Sequence, residues 1–245
     1  MCGMAEAKKC IDRQSFWKER RKMEEVYVED RKTIRKKAFI FDLDGVLVFT
    51  DKYHYLAWKE LADRLGIYFD ETINHRLRGV SRMDSLEIIL ERAAESYTDE
   101  QKEAFATEKN ETYKKLLEKM TPADVSWEVR HTLAQLKSRG HKLAIGSSSK
   151  NAKFILKQVD LLDMFDAVSD GTNITKSKPD PEVFLKAADF LGEEYDNCVV
   201  VEDAYAGVDA AKSGNMLCAG IGDARGYEKT DYPLDKFSDI LKIAE

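Results

Sequence analysis

The chain has 245 residues, 43% hydrophobic and 34% charged, so it can hold one substantial core plus a smaller unit but not two full catalytic domains. Its formal net charge of -6 argues against nucleic acid as the main partner, and no apolar run approaches the roughly 18 residues needed to span a bilayer. The terminus MCGMAEAKKC lacks the apolar segment of a signal peptide, and Cys2, Cys10, Cys198 and Cys218 show neither metal-ligand spacing nor a dense disulfide pattern. The expectation is a cytoplasmic protein with free thiols and no membrane association.

Residues 1–33 mix both charges and carry Phe16, Trp17, Met23, Val26 and Tyr27 at loosely helical spacing. That describes an appendage: a packed helix, a partner-binding segment or a frayed tail. From Ala38 the run AFIF, bounded by polar residues, predicts a buried parallel strand. Residues 51–120 then read as helices throughout. Tyr53, Leu56, Ala57, Leu61 and Leu65 keep helical spacing up to a stop at Gly66; a second helix carries Leu86, Ile89, Leu90 and Ala93. A third opens with Thr98 and Gln101 in a capping-box arrangement and runs toward Leu117.

After Pro122 helix and strand alternate. Helices around Val129–Arg139, Asn151–Asp160, from Pro181 and through Ala206–Lys212 lead into KLAIG, DAVSD, CVVV and LCAGI, with Gly140, Gly192 and Gly214 at helix ends. Such alternation implies right-handed crossovers and a parallel sheet. The predicted fold is α/β, a doubly wound parallel sheet over 34–50 and 121–245 with an inserted helical cap over 51–120.

Ligands of such sheets bind beyond the carboxyl ends of the strands. Those ends release FDLDG, GSSSKN and VVVEDAYAG, and TKSKPDP follows the third strand. Asp42, Asp44, Glu202 and Asp203 converging at one place would repel unless a cation neutralised them. Magnesium, which takes hard oxygen ligands and is often completed by a substrate phosphate, is the simplest answer. Ser147, Lys178 and the amides of the FDLDG turn could serve phosphate oxygens, and Lys178-Pro179 restricts the backbone that carries the lysine. Alternate strand positions point the same way, so Asp42 could attack phosphorus while Asp44 served as general acid and base. Gly45 lets the chain turn away without obstruction. Alternative roles are plain: Glu202 and Asp203 suit a helix amino terminus, Arg82 and Lys109 read as exposed helix cations, His54 as a structural histidine, and Trp58 as part of the cap core.

The FDLDG start, Ser147, Lys178-Pro179 and Glu202-Asp203, in that order, resemble the four motifs of the haloacid dehalogenase superfamily. Asp44, two places after the nucleophile position, is similar to the acid of its phosphatases and phosphomutases. FDLDGV, TDKYHYLAWK, LRGVSRMDSL, SSSKN and SKPDPEVF resemble the beta-phosphoglucomutase family over about Lys37–Lys242. The resemblance implies a HAD-like core, a cap that closes over it, and interconversion of beta-glucose 1-phosphate and glucose 6-phosphate through an aspartyl-phosphate and a glucose 1,6-bisphosphate. It implies Asp42 as nucleophile and Asp44 as acid and base, with magnesium held by Asp42, the Asp44 carbonyl, Glu202 and Asp203. Ser147 and Lys178 would hold the transferring phosphate, and Arg82, Lys109, Ser149 and Asn151 a distal one. Thr50, His54 and Gly79 fall at hinge and sugar contacts. The implied partner is a small sugar phosphate, with no nucleic acid and no membrane, bound by a monomer; a sugar-phosphate phosphatase using the same chemistry is the alternative. Phe49, Arg78 and Ala204 depart from the family's usual residues, and the amino-terminal extension is unusual for it.

Overall fold

The computed structural model describes residues 37–77 and 80–244; the appendage over 1–33, Arg78 and Gly79 lie outside them. Six parallel strands form one sheet in the order β3-β2-β1-β4-β5-β6. They are β1 (Ala38–Phe41), β2 (Leu143–Gly146), β3 (Ala167–Ser169), β4 (Cys198–Glu202), β5 (Leu217–Gly220) and the short β6 (Tyr232–Pro233). The chain builds outward from β1 through β2 to β3, then returns to the other side of β1 to lay down β4. Strand order therefore reverses between β1 and β4, which opens a crevice at their carboxyl ends.

β1 is buried on both faces, which explains an unbroken AFIF in place of alternating polar residues. Phe39 and Phe41 join Val199, Val201, Leu143 and Ile145 on one face, packed under α5 (Trp127–Ser138), α6 (Ala152–Gln158) and α9 (Ile240–Ile243). Ala38 and Ile40 join Val200 and Ala144 on the other, under α7 (Glu182–Leu191) and α8 (Tyr205–Ser213).

Between β1 and α5 lie α1 (Asp51–Arg64), α2 (Glu71–His75), α3 (Arg82–Leu90) and α4 (Asp99–Leu117). They enclose an apolar cluster of their own, centred on Trp58, Leu61, Phe69, Ile73, Leu86 and Ile89. The capping box at Thr98 forms as the sequence predicts, with Gln101 N donating to Thr98 Oγ1 and Thr98 N to Gln101 Oε1. Trp58 is buried here, a structural residue of the insertion. Leu56 differs from expectation: the buried stripe of α1 is Tyr53, Ala57, Trp58, Leu61 and Ala62, which leaves Leu56 on the outward side and exposed. α2, capped by Asp70, and the two-residue β6 were also not predicted, since each is too short to show a period. Among the described residues no helix is long and apolar enough to cross a membrane.

Candidate active site

β1 delivers Asp42, whose N–H still donates to Val201 O of β4 at 2.9 Å, so the residue leaves the sheet in strand geometry. Leu43 points the opposite way into the core, fully buried, and Asp44 returns to the crevice side. The alternation acid, leucine, acid is thus a strand end with one buried anchor. Gly45 follows at φ +84°, and Gly45 N donates to Val48 O at 2.7 Å to close the turn. A Cβ at Gly45 would lie 2.1 Å from Asp203 Oδ2, so glycine is required for the carboxylate just after β4 to reach this turn.

Three side-chain clusters meet at the crevice. In the first, Lys178 Nζ lies 2.5 Å from Asp42 Oδ1 and 2.5 Å from Glu202 Oε1, and 4.7 Å over the Phe184 ring. Glu202 Oε2 accepts from Asp203 N at 2.8 Å and Ala204 N at 2.9 Å. Both oxygens of Glu202 are therefore engaged by protein donors. Gly207 of α8 makes room for this carboxylate, because a Cβ there would come 1.9 Å from Glu202 Oε1. Burial raises the Asp42 carboxyl well above its ordinary value; the Lys178 charge opposes this, while Glu202 and Asp203 add to it. Asp203 is pushed up to about 7 by burial and by Glu202. Burial disfavours the Lys178 ammonium, but the Asp42 and Glu202 carboxylates outweigh it and hold it charged.

In the second cluster Thr50 Oγ1 donates a short hydrogen bond to Asp44 Oδ1 and accepts one from Tyr113 Oη at 3.1 Å. His54 packs on the Tyr113 ring at 4.1 Å between centroids, and its Nδ1 faces Lys109 Nζ at 2.9 Å. Lys109 is only 3% exposed, and its ammonium sits over both Trp58 and Tyr113. The alternative of a solvated helix cation is thereby excluded for Lys109. Burial brings Asp44 up to about 6, with the Thr50 hydrogen bond pulling the other way. Burial, then the Arg82 charge, bring Lys109 down to about 7. Burial, then Lys109 and Arg82, lower the His54 imidazole well below its ordinary value, so it stands neutral with Nδ1 placed to accept from Lys109.

The third cluster crosses from insertion to sheet. Arg82 Nη2 donates to Asn110 Oδ1 at 2.8 Å, and Asn151 Nδ2 donates to the same oxygen at 3.1 Å. The loop after β2 is folded on its own hydroxyls: Ser147 Oγ accepts from Ser149 N and Ser149 Oγ accepts from Asn151 N, each at 3.2 Å. Ser147 N donates to Ser169 O at 3.1 Å. Among the described residues Ser148 Oγ is buried without a hydrogen-bond partner.

Every site residue singled out in the sequence except Gly79, which lies outside the described residues, thus falls in these clusters or the loop after β2. In this structure the Lys178 ammonium stands between Asp42 and Glu202 and neutralises part of their charge. Phe49 is 72% exposed beside the Asp44 turn. Sequence reasoning missed Tyr113 and Asn110. Tyr113 follows Lys109 by four residues on α4, so helical spacing already put both on one face. Asn110 carries no such signal, since its partners lie 28 and 41 residues away.

A family model described as haloacid dehalogenase-like hydrolase matches residues 36–215. The beta-phosphoglucomutase of Bacillus subtilis (strain 168) is 41% identical over 206 residues, 83% of this chain and 91% of that protein. The phosphorylated carbohydrates phosphatase of Thermotoga maritima is 32% identical over 183 residues, 74% of this chain and 82% of its own length. The crystal structure of beta-phosphoglucomutase from Clostridium difficile matches with a TM-score of 0.77 at 38% identity, covering 84% of this chain and 93% of that one. The family match runs from just ahead of β1 through α8 and contains every residue of the three clusters; the chain belongs to the haloacid dehalogenase-like hydrolase family.

Proposed function

We propose that the chain is a metal-dependent phosphomutase that interconverts beta-glucose 1-phosphate and glucose 6-phosphate through an aspartyl-phosphate on Asp42. The observation that carries the reading is that two separate sets of phosphate-binding groups line the crevice, Lys178 against Asp42 and Arg82 with Asn151 joined through Asn110. One serves the transferring phosphate and the other a second phosphate, as a bisphosphate intermediate requires. The 41% identity to the Bacillus subtilis enzyme supports the same choice.

Asp42 attacks phosphorus while Lys178 holds its Oδ1 and neutralises the phosphate together with Ser147. Asp44, with a carboxyl near 6, is matched to giving a proton to the leaving oxygen and taking one from the accepting hydroxyl. Arg82, Asn151 and Ser149, with Asn110 between Arg82 and Asn151, would receive the distal phosphate. Lys109 would join them at the distal phosphate, His54 against it would make sugar-side contacts, and α1–α4 act as the cap. The oxygens of Asp42 and Asp203 fit a divalent cation, magnesium by preference. Both carboxyls are raised by burial and by neighbouring acids, and a hard cation reverses that. Asp42, Glu202, Asp203 and the Asp44 carbonyl would hold it, with Glu202 also holding Lys178. The ion would supply charge neutralisation at the transferring phosphate.

Incubation with beta-glucose 1-phosphate, a trace of glucose 1,6-bisphosphate and magnesium should give glucose 6-phosphate, lost with a chelator and restored by magnesium. Release of one inorganic phosphate per substrate would instead establish a sugar-phosphate phosphatase, the reading favoured by the similarity to the Thermotoga maritima phosphatase.

A further inference from the structure

The loop from β3 to α7 brings Lys178 to Asp42, and its own support lies outside the three clusters. Glu182, the first residue of α7, faces this loop. Glu182 Oε2 accepts from Thr175 N at 2.8 Å, Thr175 Oγ1 at 2.9 Å and Lys176 N at 2.8 Å. Glu182 Oε1 meets Lys186 Nζ at 2.8 Å, one turn further along α7, and the same ammonium donates to Asn173 O. The start of the loop is pinned separately. Asp170 Oδ1 accepts from Thr172 N at 2.9 Å, and Gly171 N donates to Ser149 O at 3.2 Å.

An acid in the first turn of a helix is favourable wherever it points. Here one carboxylate oxygen takes three donors from the loop, a use that dipole compensation does not require. The Lys186 hydrogen bond, then the Lys176 and Thr175 amides, hold the Glu182 carboxyl down at about 2, so it stays an ionised acceptor across the working pH range. Lys178 follows the last of the anchored amides by two residues.

We propose that Glu182 is a positioning residue: through Thr175 and Lys176 it fixes the loop that delivers Lys178 to Asp42, and Lys186 fixes Glu182. The inference rests on Lys178 serving the transferring phosphate, and it holds for a mutase or a phosphatase alike. Its test therefore uses magnesium-dependent hydrolysis of p-nitrophenyl phosphate, which reports transfer to Asp42 whatever the sugar. Glu182→Ala should lower kcat by about tenfold or more, because displacing a charge at the reacting centre acts on the transition state. Glu182→Gln, which keeps the acceptor and loses the ion pair, should lie between Ala and wild type.

The double variant Glu182→Lys with Lys186→Glu keeps an ion pair but removes the acceptor beside Thr175 and Lys176. It should remain as slow as Glu182→Ala, and recovery to wild-type turnover would show the pair to be structural only. Limited trypsin digestion reads the loop without turnover: cleavage after Lys176 should accelerate in Glu182→Ala and in the double variant, while Lys178 is shielded by Pro179. Wild-type kcat and unchanged cleavage in folded Glu182→Ala would overturn the proposal. Should Glu182→Ala not fold, Glu182→Gln carries the same two readouts. A wild-type protein that turns over no phosphate ester would defeat the phosphotransferase reading, with the trypsin comparison still deciding whether Glu182 anchors the loop.

Discussion

Two carboxylates one residue apart, Asp42 and Asp44, owe their different characters to what the fold puts beside them. Asp42 shares Lys178 with Glu202, whereas Asp44 accepts from Thr50 and lies toward Tyr113 and Lys109. Asp42→Asn should abolish turnover and leave thermal unfolding essentially unchanged, since the amide keeps the shape and an acceptor for Lys178; residual turnover near wild type would remove Asp42 as nucleophile. Asp44 titrates near 6, raised above its ordinary value. Its protonated form is present below that pH and lost above it, so the step that uses it as an acid should slow as pH rises through about 6. Single-turnover transfer from glucose 1,6-bisphosphate to the enzyme reads that step. Thr50→Val removes the hydrogen bond that pulls this value down and should move the limb to higher pH.

At the scale of elements, the apolar runs and the caps carried the legible information. AFIF, KLAIG and CVVV became the three central strands because a parallel strand buried on both faces must be apolar throughout. Thr98 and Gln101 set the start of α4 by local bonds alone, and so needed no tertiary context. Phe39 lies at the centre of β1, flanked by Leu143 and Val199 and fully buried. Phe39→Ala should therefore cost about 3–5 kcal/mol in denaturant unfolding. The junction between α4 and the loop after β2 was not legible, because Asn110 acts through a bond to each side. Asn110→Ala should weaken mutase turnover more than hydrolysis of p-nitrophenyl phosphate, and equal losses would remove Asn110 from the distal site.

At the scale of the molecule, the site is a charge arrangement that the fold sustains at a cost to stability. Lys109 is buried with its pKa lowered to about 7. The folded state therefore binds the Lys109 proton less readily than the unfolded state, and the resulting destabilisation grows as pH falls from 10.5 toward 7 and is constant below. Lys109→Met should then stabilise the protein at pH 6, on the order of 2 kcal/mol after allowing for the lost contact with His54. The gain should shrink as pH approaches 10, and mutase activity should fall. Comparison of unfolding midpoints at the two pH values checks this, and a gain that does not depend on pH would show that charge burial is not its source.

The sequence by itself determined the α/β alternation, the inserted helices and the chemistry of the strand ends, because burial on two faces, helical period and capping act within a few residues. It also determined which acids, hydroxyls and lysine would be available at those ends. Tertiary structure alone decided how they pair: that Lys178 stands between Asp42 and Glu202, that Gly45 and Gly207 admit the Asp203 and Glu202 carboxylates, and that Asn110 joins Arg82 to Asn151. Those contacts connect positions from 24 to 136 residues apart or depend on the space left by a missing Cβ. No local pattern encodes the long-range ones: the Lys178 and Gly45 contacts depend on strand order placing β4 beside β1, and the Asn110 contacts on the insertion meeting the loop after β2.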